Sequence, residues 1–194
     1  MTSPAQERLL HAAHTLFSGR SIHRVSIDDI VREAGSTKAT LYRHYRSKDD
    51  LLLAVMRWES QAWLHGFQDN VARLEPHPAR QLLVVVDALA GGWARPGFRG
   101  CVLTRLVLEQ ADPDHPAGQV LEDHQRRVRE YLAVLARRAG RPEPDRLAAE
   151  LHLVLEGAAL LAGVGRDREA FSRARAIAGQ LLGDPVYGEK ADGA

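Results

Sequence analysis

One short helical stretch has residues of the types and the spacing that can bind a nucleic acid. With about 100° of turn per residue, Leu41 and Tyr45 fall on one edge of a helix, and Ala39 and Arg43 fall on the opposite side. Tyr42 lies beside that outer side. An arginine can donate two hydrogen bonds to a guanine, a small residue allows the helix to approach the bases closely, and hydroxyl groups can donate to phosphate oxygens. The pattern predicts a face for the major groove, although an ordinary solvated helix face is the alternative.

A second helix and a tight turn must position that face. The apolar residues Ile27, Ile30, Val31 and Ala34 recur at helical spacing. Ser26 and Asp29 form a capping box at the start of this helix, and Gly35 suits a left-handed C-cap. Ser36 or Thr37 can cap the next helix at once. The stretch from residue 26 to 48 is therefore predicted to be a helix-turn-helix.

The charge of the chain is concentrated around this stretch. Residues 20–48 contain seven Lys or Arg and three acids, a net charge of +4, so the remainder carries −3 of the overall +1. A second capping box, Ser47 with Asp50, predicts that another helix begins beside the groove-facing one. Lys48 and the free N–H groups there could clamp a phosphate. This distribution favours a DNA-binding unit on an otherwise slightly acidic protein.

The run from Ala34 to Leu51, AGSTKATLYRHYRSKDDL, resembles the signature of the TetR family of bacterial transcriptional regulators, and the likeness extends over about residues 5–55. Ser36, Ala39 and Tyr45 depart from the residues usual in that family, and none of the three changes removes a donor from the groove-facing side. The resemblance implies that Thr40, Tyr42, His44 and Lys48 contact phosphates and that Lys38, Ala39 and Arg43 lie nearest the bases. The whole predicted DNA-binding set is Ser26, Thr37, Lys38, Ala39, Thr40, Tyr42, Arg43, His44 and Lys48.

Composition is ordinary for a globular protein, with 45% hydrophobic and 26% charged residues among 194. Cys101 is the only cysteine, which excludes an intrachain disulfide and a thiolate metal cluster and favours the cytoplasm. The N-terminal residues do not read as a signal peptide, and we expect no membrane span. No metal and no cofactor are predicted.

The rest of the chain is predicted to be helical, giving an all-α fold of about nine helices. We expect three domains or segments: a DNA-binding domain over 1–47, an effector-binding and dimerisation domain over 48–187, and a flexible tail over 188–194. A long helix from 47 to 75 would join the first two as one rod. Residues 79–95 are predicted to be a buried helix, with a strand through 82–86 as the rival interpretation.

The last two predicted helices are apolar over much of their circumference. A single monomer would struggle to bury this much apolar surface. The resemblance implies that they pair with their copies in a homodimer that reads a palindromic operator. It also implies an effector pocket between the middle helices. The candidates for this pocket, each of which could equally be ordinary core, are Trp63, Phe67, Trp93, Phe98, Arg105, Glu109 and His124.

Other chemistry is less well supported. His11 and His14 have a spacing that a metal could use, but no acidic or thiol partner stands near them in the sequence. Cys101 lies between two arginines, so redox sensing competes with a simple role as a small buried side chain. Zincin, nucleophile-elbow and phosphate-loop motifs are absent, which argues against an enzyme. The sequence thus predicts an effector-controlled regulator, most simply a repressor; a helical protein-binding scaffold is the alternative.

Overall fold

The computed structural model describes residues 3–93 and 101–183, without the side chain of Trp93. Every regular element in these residues is helical, which confirms the predicted all-α class. The α-helices are α1 Pro4–Gly19, α2 Ile27–Glu33, α3 Lys38–His44, α4 Lys48–Leu74, α5 Val85–Trp93, α6 Val102–Leu108, α7 Ala117–Arg138, α8 Pro144–Gly163 and α9 Ala170–Leu182. Two 3₁₀ segments, Ile22–Arg24 and Pro78–Val84, accompany them. The predicted tail over 188–194 lies outside the described residues.

One prediction about secondary structure was wrong in part. Residues 79–95 were expected to form one helix, but the structure has a 3₁₀ segment up to Val84 and an α-helix only from Val85. Pro78 opens the 3₁₀ segment, and the Gln81 side chain donates to the Glu75 carbonyl, 3.2 Å away. That bond satisfies one of the carbonyls that α4 leaves free at its end. No strand forms there, since Leu82, Val85 and Val86 are buried as helical residues.

The chain divides into two compact units, and the division falls within α4 and within α7. The first unit comprises Met1–Ala62 and Val102–Glu122, and the second comprises Trp63–Cys101 and Asp123–Ala194. The predicted domain boundary between residues 47 and 48 stays a prediction. The start of α4 and the whole of α6 belong with the helix-turn-helix, because both contact its connections.

The first unit is built on a small apolar core. Side chains of α1, α2, α3, α4 and α6 are buried in it, among them Leu9, Phe17, Ile30, Leu41, Tyr45, Leu52, Met56, Leu103 and Leu106. Phe17, Ile30 and Leu41 are fully buried. Burial of such side chains contributes about 1.5–3 kcal/mol each, which is the main force that holds the short helices α2 and α3 in place.

The second unit has its own core, formed by α5, α7, α8 and α9 with the second half of α4 and the 3₁₀ segment Pro78–Val84. Phe67, Val85, Leu132, Leu151 and Ala178 are among its buried residues. Ala158 and Ala174 are small and buried, which allows α8 and α9 to pack closely. Within the described residues, no helix is long and apolar enough to cross a membrane.

Candidate nucleic-acid interface

The helix-turn-helix forms by the local interactions that its sequence predicted. Ser26 Oγ accepts from Asp29 N at 3.1 Å, and Asp29 Oδ2 accepts from Ser26 N at 3.0 Å, so the capping box is present. The hydrogen bonds from Ser26 are the main cause that lowers the pKa of Asp29 to about 2, and Arg32 adds to the effect. An ionised Asp29 also suits the positive end of the α2 dipole.

The turn between α2 and α3 depends on Gly35. Its φ of 54° lies in the left-handed region, where a glycine bears no steric cost. Ser36 N then donates to Val31 O at 2.8 Å, which closes the end of α2. Thr37 caps α3 by accepting from Thr40 N at 3.1 Å, and the two threonine hydroxyls lie 3.0 Å apart. These bonds set the angle at which α3 leaves the turn.

The third helix has one buried edge and one exposed face. Leu41 and Tyr45 are buried, as predicted. Lys38, Ala39, Tyr42 and Arg43 are exposed, and Thr40 and His44 lie half-buried at the edges of this group; we call these six residues the α3 outer face. Tyr42, with 52% of its area exposed, is unusually open for a large side chain. A cation, a small residue and an open aromatic ring on one side of a helix can contact bases and phosphates.

Besides Ser26, Thr37 and Thr40, three more of the predicted DNA-binding side chains have partners within the first unit. Lys38 Nζ lies 2.8 Å from Asp28 Oδ1 on α2, which raises the pKa of Lys38. Lys48 donates to the carbonyl of Ile22, and its burial lowers the pKa of its ammonium group. His44 Nε2 lies 3.4 Å from Ser3 Oγ. In this structure Lys48 is therefore directed into the protein rather than toward solvent.

The predicted effector residues do not come together as one group. In the second unit, the rings of Trp63 and Phe67 are stacked at 5.2 Å, and Trp63 meets His124 edge-on at 5.1 Å. Phe67 also meets Tyr131 at 6.0 Å. We call these four residues the aromatic cluster. Phe98 and the side chain of Trp93 lie outside the described residues.

Arg105 and Glu109 belong instead to the first unit, where they contact the connection between α1 and α2. Glu109 Oε2 accepts from Ile22 N at 2.6 Å, and Arg105 donates to the carbonyl of Phe17. Their polar groups are occupied there, which the effector hypothesis did not foresee. Nothing in the sequence links residues that are more than eighty positions apart, so only the fold could have revealed this contact.

The second unit also contains an open groove that none of the predicted effector residues lines. Its volume is about 600 Å³, and its wall includes Leu64, Gln68, Asp69, Ala72, Gln81, Arg127, Glu130, Tyr131, Val134 and Arg138. Tyr131 belongs both to this wall and to the aromatic cluster. The wall mixes cations, acids and apolar atoms, so its chemistry does not select one class of ligand.

The candidate metal pair has an acidic neighbour after all. Glu59 of α4 lies 2.9 Å from His14 Nε2, and the rings of His11 and His14 both meet Trp58 edge-on. Even so, no group of three or more His, Cys, Asp or Glu residues in the described ranges could hold a metal ion. His14 and Glu59 are best explained as a contact that ties α1 to α4.

A helix-turn-helix with an exposed α3, in a chain whose described residues form only helical elements, is the arrangement typical of a DNA-binding transcriptional regulator. The family model described as "Bacterial regulatory proteins, tetR family" matches residues 9–55. The crystal structure of SCO4454, a TetR-family transcriptional regulator from Streptomyces coelicolor, is 30% identical, covers 93% of this chain and 88% of its own, and superposes with a TM-score of 0.77. The chain belongs to the TetR family of bacterial transcriptional regulators.

Other relatives agree with that assignment. An uncharacterized HTH-type transcriptional regulator of Mycobacterium tuberculosis is 29% identical over 168 residues, which are 76% of this chain and 82% of that protein. The HTH-type transcriptional repressor KstR2 of Mycolicibacterium smegmatis is 30% identical over 83 residues, 42% of this chain and 40% of that protein. The reduced form of Escherichia coli NemR has the same fold, with a TM-score of 0.79 at 18% identity over 94% of this chain and 97% of that one.

Proposed function

We propose that this protein is a cytoplasmic transcriptional repressor that binds a palindromic operator as a homodimer and is released by a small-molecule effector. The observation that carries the proposal is the α3 outer face. Arg43 is exposed at its centre, next to Ala39, with the open ring of Tyr42 at its side. In this hypothesis Arg43 contacts a guanine edge, while Thr37, Thr40, Tyr42 and His44 contact phosphates.

Lys38 and Lys48 have narrower roles in the proposal than the family resemblance implied. Lys38 must exchange its bond with Asp28 for a base or a phosphate when DNA binds. Lys48 stabilises the start of α4 from within, since its ammonium group is bonded to the Ile22 carbonyl. The free N–H groups at the start of α4 can still face a phosphate.

Dimerisation is supported by an exposed apolar surface on the last two helices. Leu153, Leu160, Leu161, Val164, Ile177 and Leu181 are exposed there, and we call them the α8/α9 apolar face. Leu153 exposes 73% of its area and Val164 exposes 68%, large values for aliphatic residues placed so near one another in sequence. Such a patch marks an interaction site. A second copy of the same two helices would cover it and give a two-fold four-helix bundle.

A two-fold dimer would present two α3 helices to successive major grooves, about 34 Å apart or more. The effector would bind in the second unit, in the open groove that shares Tyr131 with the aromatic cluster. Release requires that the effector prefer the geometry that does not bind DNA; a hundredfold loss of affinity needs about 3 kcal/mol of such preference. Repression, rather than activation, is supported by the name of one relative, the transcriptional repressor KstR2.

The test is selection of binding sites from random double-stranded DNA, followed by titration of the recovered site at several salt concentrations. We expect an inverted repeat, and an affinity that falls steeply with salt, with a log–log slope of about −0.9 for each phosphate contacted. A purified protein that enriches no sequence and binds DNA without dependence on salt would contradict the proposal and would favour the protein-binding scaffold.

The effector is tested on the same operator. A library of small molecules is screened for compounds that release labelled operator from the wild-type protein, and hits are repeated with Trp63→Ala. We expect the variant to bind operator normally and to respond only at higher compound concentration, because the stacked surface is lost. A response identical to that of the wild type would remove the aromatic cluster from the effector site.

A further inference from the structure

Helix α6 contacts the DNA-binding unit through two polar side chains at its C-terminal end. Glu109, directly after α6, accepts from the backbone N–H of Ile22 at 2.6 Å and from Arg105 Nη1 at 2.7 Å. Its side chain also bonds Ser21. The backbone carbonyl of Glu109 lies 2.9 Å from His23 Nε2. Glu109 thus contacts three successive residues of the α1–α2 connection.

Arg105 completes the contact at the end of α1. Its guanidinium donates to the carbonyl of Phe17 and lies 3.4 Å and 3.5 Å from the carbonyls of Ser18 and Arg20. The last turn of α1 contains no basic residue of its own. Carbonyls at the C-terminus of a helix are left without partners and carry negative partial charge, so a cation there is favourable. Helix α6 supplies the cation that α1 lacks.

The backbone of Ile22 is held at both its N–H and its carbonyl. Its N–H donates to Glu109, and its carbonyl accepts from Lys48 at the start of α4 and from the backbone N–H of Val25, while only 4% of the residue is exposed. Water cannot readily replace Glu109 at a buried N–H, so removal of this acceptor leaves the Ile22 N–H unsatisfied. Residues 21–25 lead directly to Ser26, the cap of α2. Their placement therefore determines how α2 and α3 leave the end of α1.

We propose that Arg105 and Glu109 are positioning residues for DNA binding: from α6 they hold the end of α1 and the Ile22 peptide, and so keep α2 and α3 in the orientation that fits the operator. Neither residue touches DNA in this proposal. It rests on operator binding through the α3 outer face, as proposed above, and it is independent of the effector and of the sign of regulation.

The test compares Glu109→Ala, Glu109→Gln and Arg105→Lys with the wild type. Glu150→Ala is the matched control, because Glu150 forms the same i, i+4 pair with Arg146, at 3.0 Å on the exposed side of α8. Operator affinity is measured by fluorescence anisotropy at a temperature at which circular dichroism shows every variant folded. Hydrogen–deuterium exchange of the peptides that cover residues 17–25 is measured in the full-length protein.

We expect Glu109→Ala to lower operator affinity about tenfold and to speed exchange in residues 17–25, as for a buried donor left without its acceptor. Glu109→Gln keeps an oxygen that can accept from the Ile22 N–H but loses the negative charge that pairs with Arg105. We expect it to lower operator affinity about threefold. Arg105→Lys keeps the positive charge, but an ammonium group cannot reach three carbonyls as the planar guanidinium does. Its loss of operator affinity should therefore lie between those of the two Glu109 variants. Glu150→Ala leaves affinity and exchange unchanged.

A merely structural contact would give a different result. Faster exchange in residues 17–25 with unchanged operator affinity in both Glu109 variants would overturn the proposal and leave operator binding intact. A wild-type protein that selects no operator would overturn it together with the proposed function. If Glu109→Ala does not fold, Glu109→Gln and Arg105→Lys decide the question, since wild-type affinity in both would reject it.

Discussion

The α3 outer face and the α8/α9 apolar face are both left open in a single chain, but for opposite physical reasons. The first exposes Arg43, Lys38 and hydroxyl groups, which water solvates well. The second exposes six aliphatic side chains, which water solvates poorly. In the proposed function, the first would gain from a polyanion mainly by releasing counterions, and the second would gain from a copy of itself by burying area.

This contrast indicates how the two surfaces depend on each other. A net charge of +4 around the helix-turn-helix is modest, so one copy has little electrostatic attraction to DNA. Two copies held by the α8/α9 apolar face would bind the second half-site as an intramolecular event, at a high effective concentration. The apolar face then contributes to operator affinity without touching DNA. The predictions below test that dependence, from the largest expected effect to the smallest.

The largest effect is expected from charge placed on the apolar face. The double substitution Leu153→Glu with Leu160→Glu should give a monomer and lower operator affinity more than about a hundredfold, because avidity is lost. Mass is measured by analytical ultracentrifugation and affinity by anisotropy. Leu108→Glu on α6, where Leu108 is 79% exposed, is the control for mass and should remain dimeric. A monomeric double variant with full operator affinity would break the proposed link between the two surfaces.

A smaller effect is expected at the centre of the α3 outer face. Arg43→Ala should lower operator affinity by about 1–3 kcal/mol and relax specificity at one base position in each half-site. Arg73→Ala, at the exposed end of α4, removes an equal charge and should change affinity little. Selection from random DNA with the variant shows which position is relaxed. Unaltered preference at every position would exclude Arg43 as a base-reading residue.

The capping box of α2 should contribute to stability. Ser26→Ala removes the acceptor for Asp29 N and should lower the free energy of unfolding by about 1 kcal/mol. Because the pKa of Asp29 is lowered to about 2, its stabilising effect is present above the carboxyl's ordinary value and is lost as pH falls toward 2. Urea unfolding of wild type and Asp29→Asn should therefore converge between about pH 4 and pH 2. A difference in unfolding free energy between the two proteins that stays constant over this pH range would contradict a stabilising role of the Asp29 charge.

The smallest effect concerns Asp28, which holds Lys38 through an exposed ion pair. Such pairs contribute little to stability, so Asp28→Asn should leave unfolding nearly unchanged. It removes a negative charge beside the DNA-binding face and frees Lys38, so affinity for unrelated DNA should rise about two- to threefold. Glu33→Gln, an equal charge change on the exposed surface of α2, is the control. An equal rise in both variants would show that only net charge matters.

The local design of the helix-turn-helix could be predicted from the sequence because its causes are local. The capping box of Ser26 and Asp29, the left-handed Gly35 and the Thr37 cap each depend on residues within a few positions of one another. The burial of Leu41 and Tyr45 follows from helical spacing. The division of residues 79–93 into a 3₁₀ segment and α5 was missed, since Gln81 reaches the carbonyl of the residue that follows α4.

The sequence by itself determined the all-helical class, the helix-turn-helix and the outward residues of α3, because periodicity and caps encode them directly. Only the tertiary structure decided the partners of the long polar side chains. It directed Lys48 to the Ile22 carbonyl and joined Arg105 and Glu109 to the end of α1. The physical reason is that a flexible charged side chain takes whichever unsatisfied backbone group the fold brings near, and sequence distance carries no information about that choice.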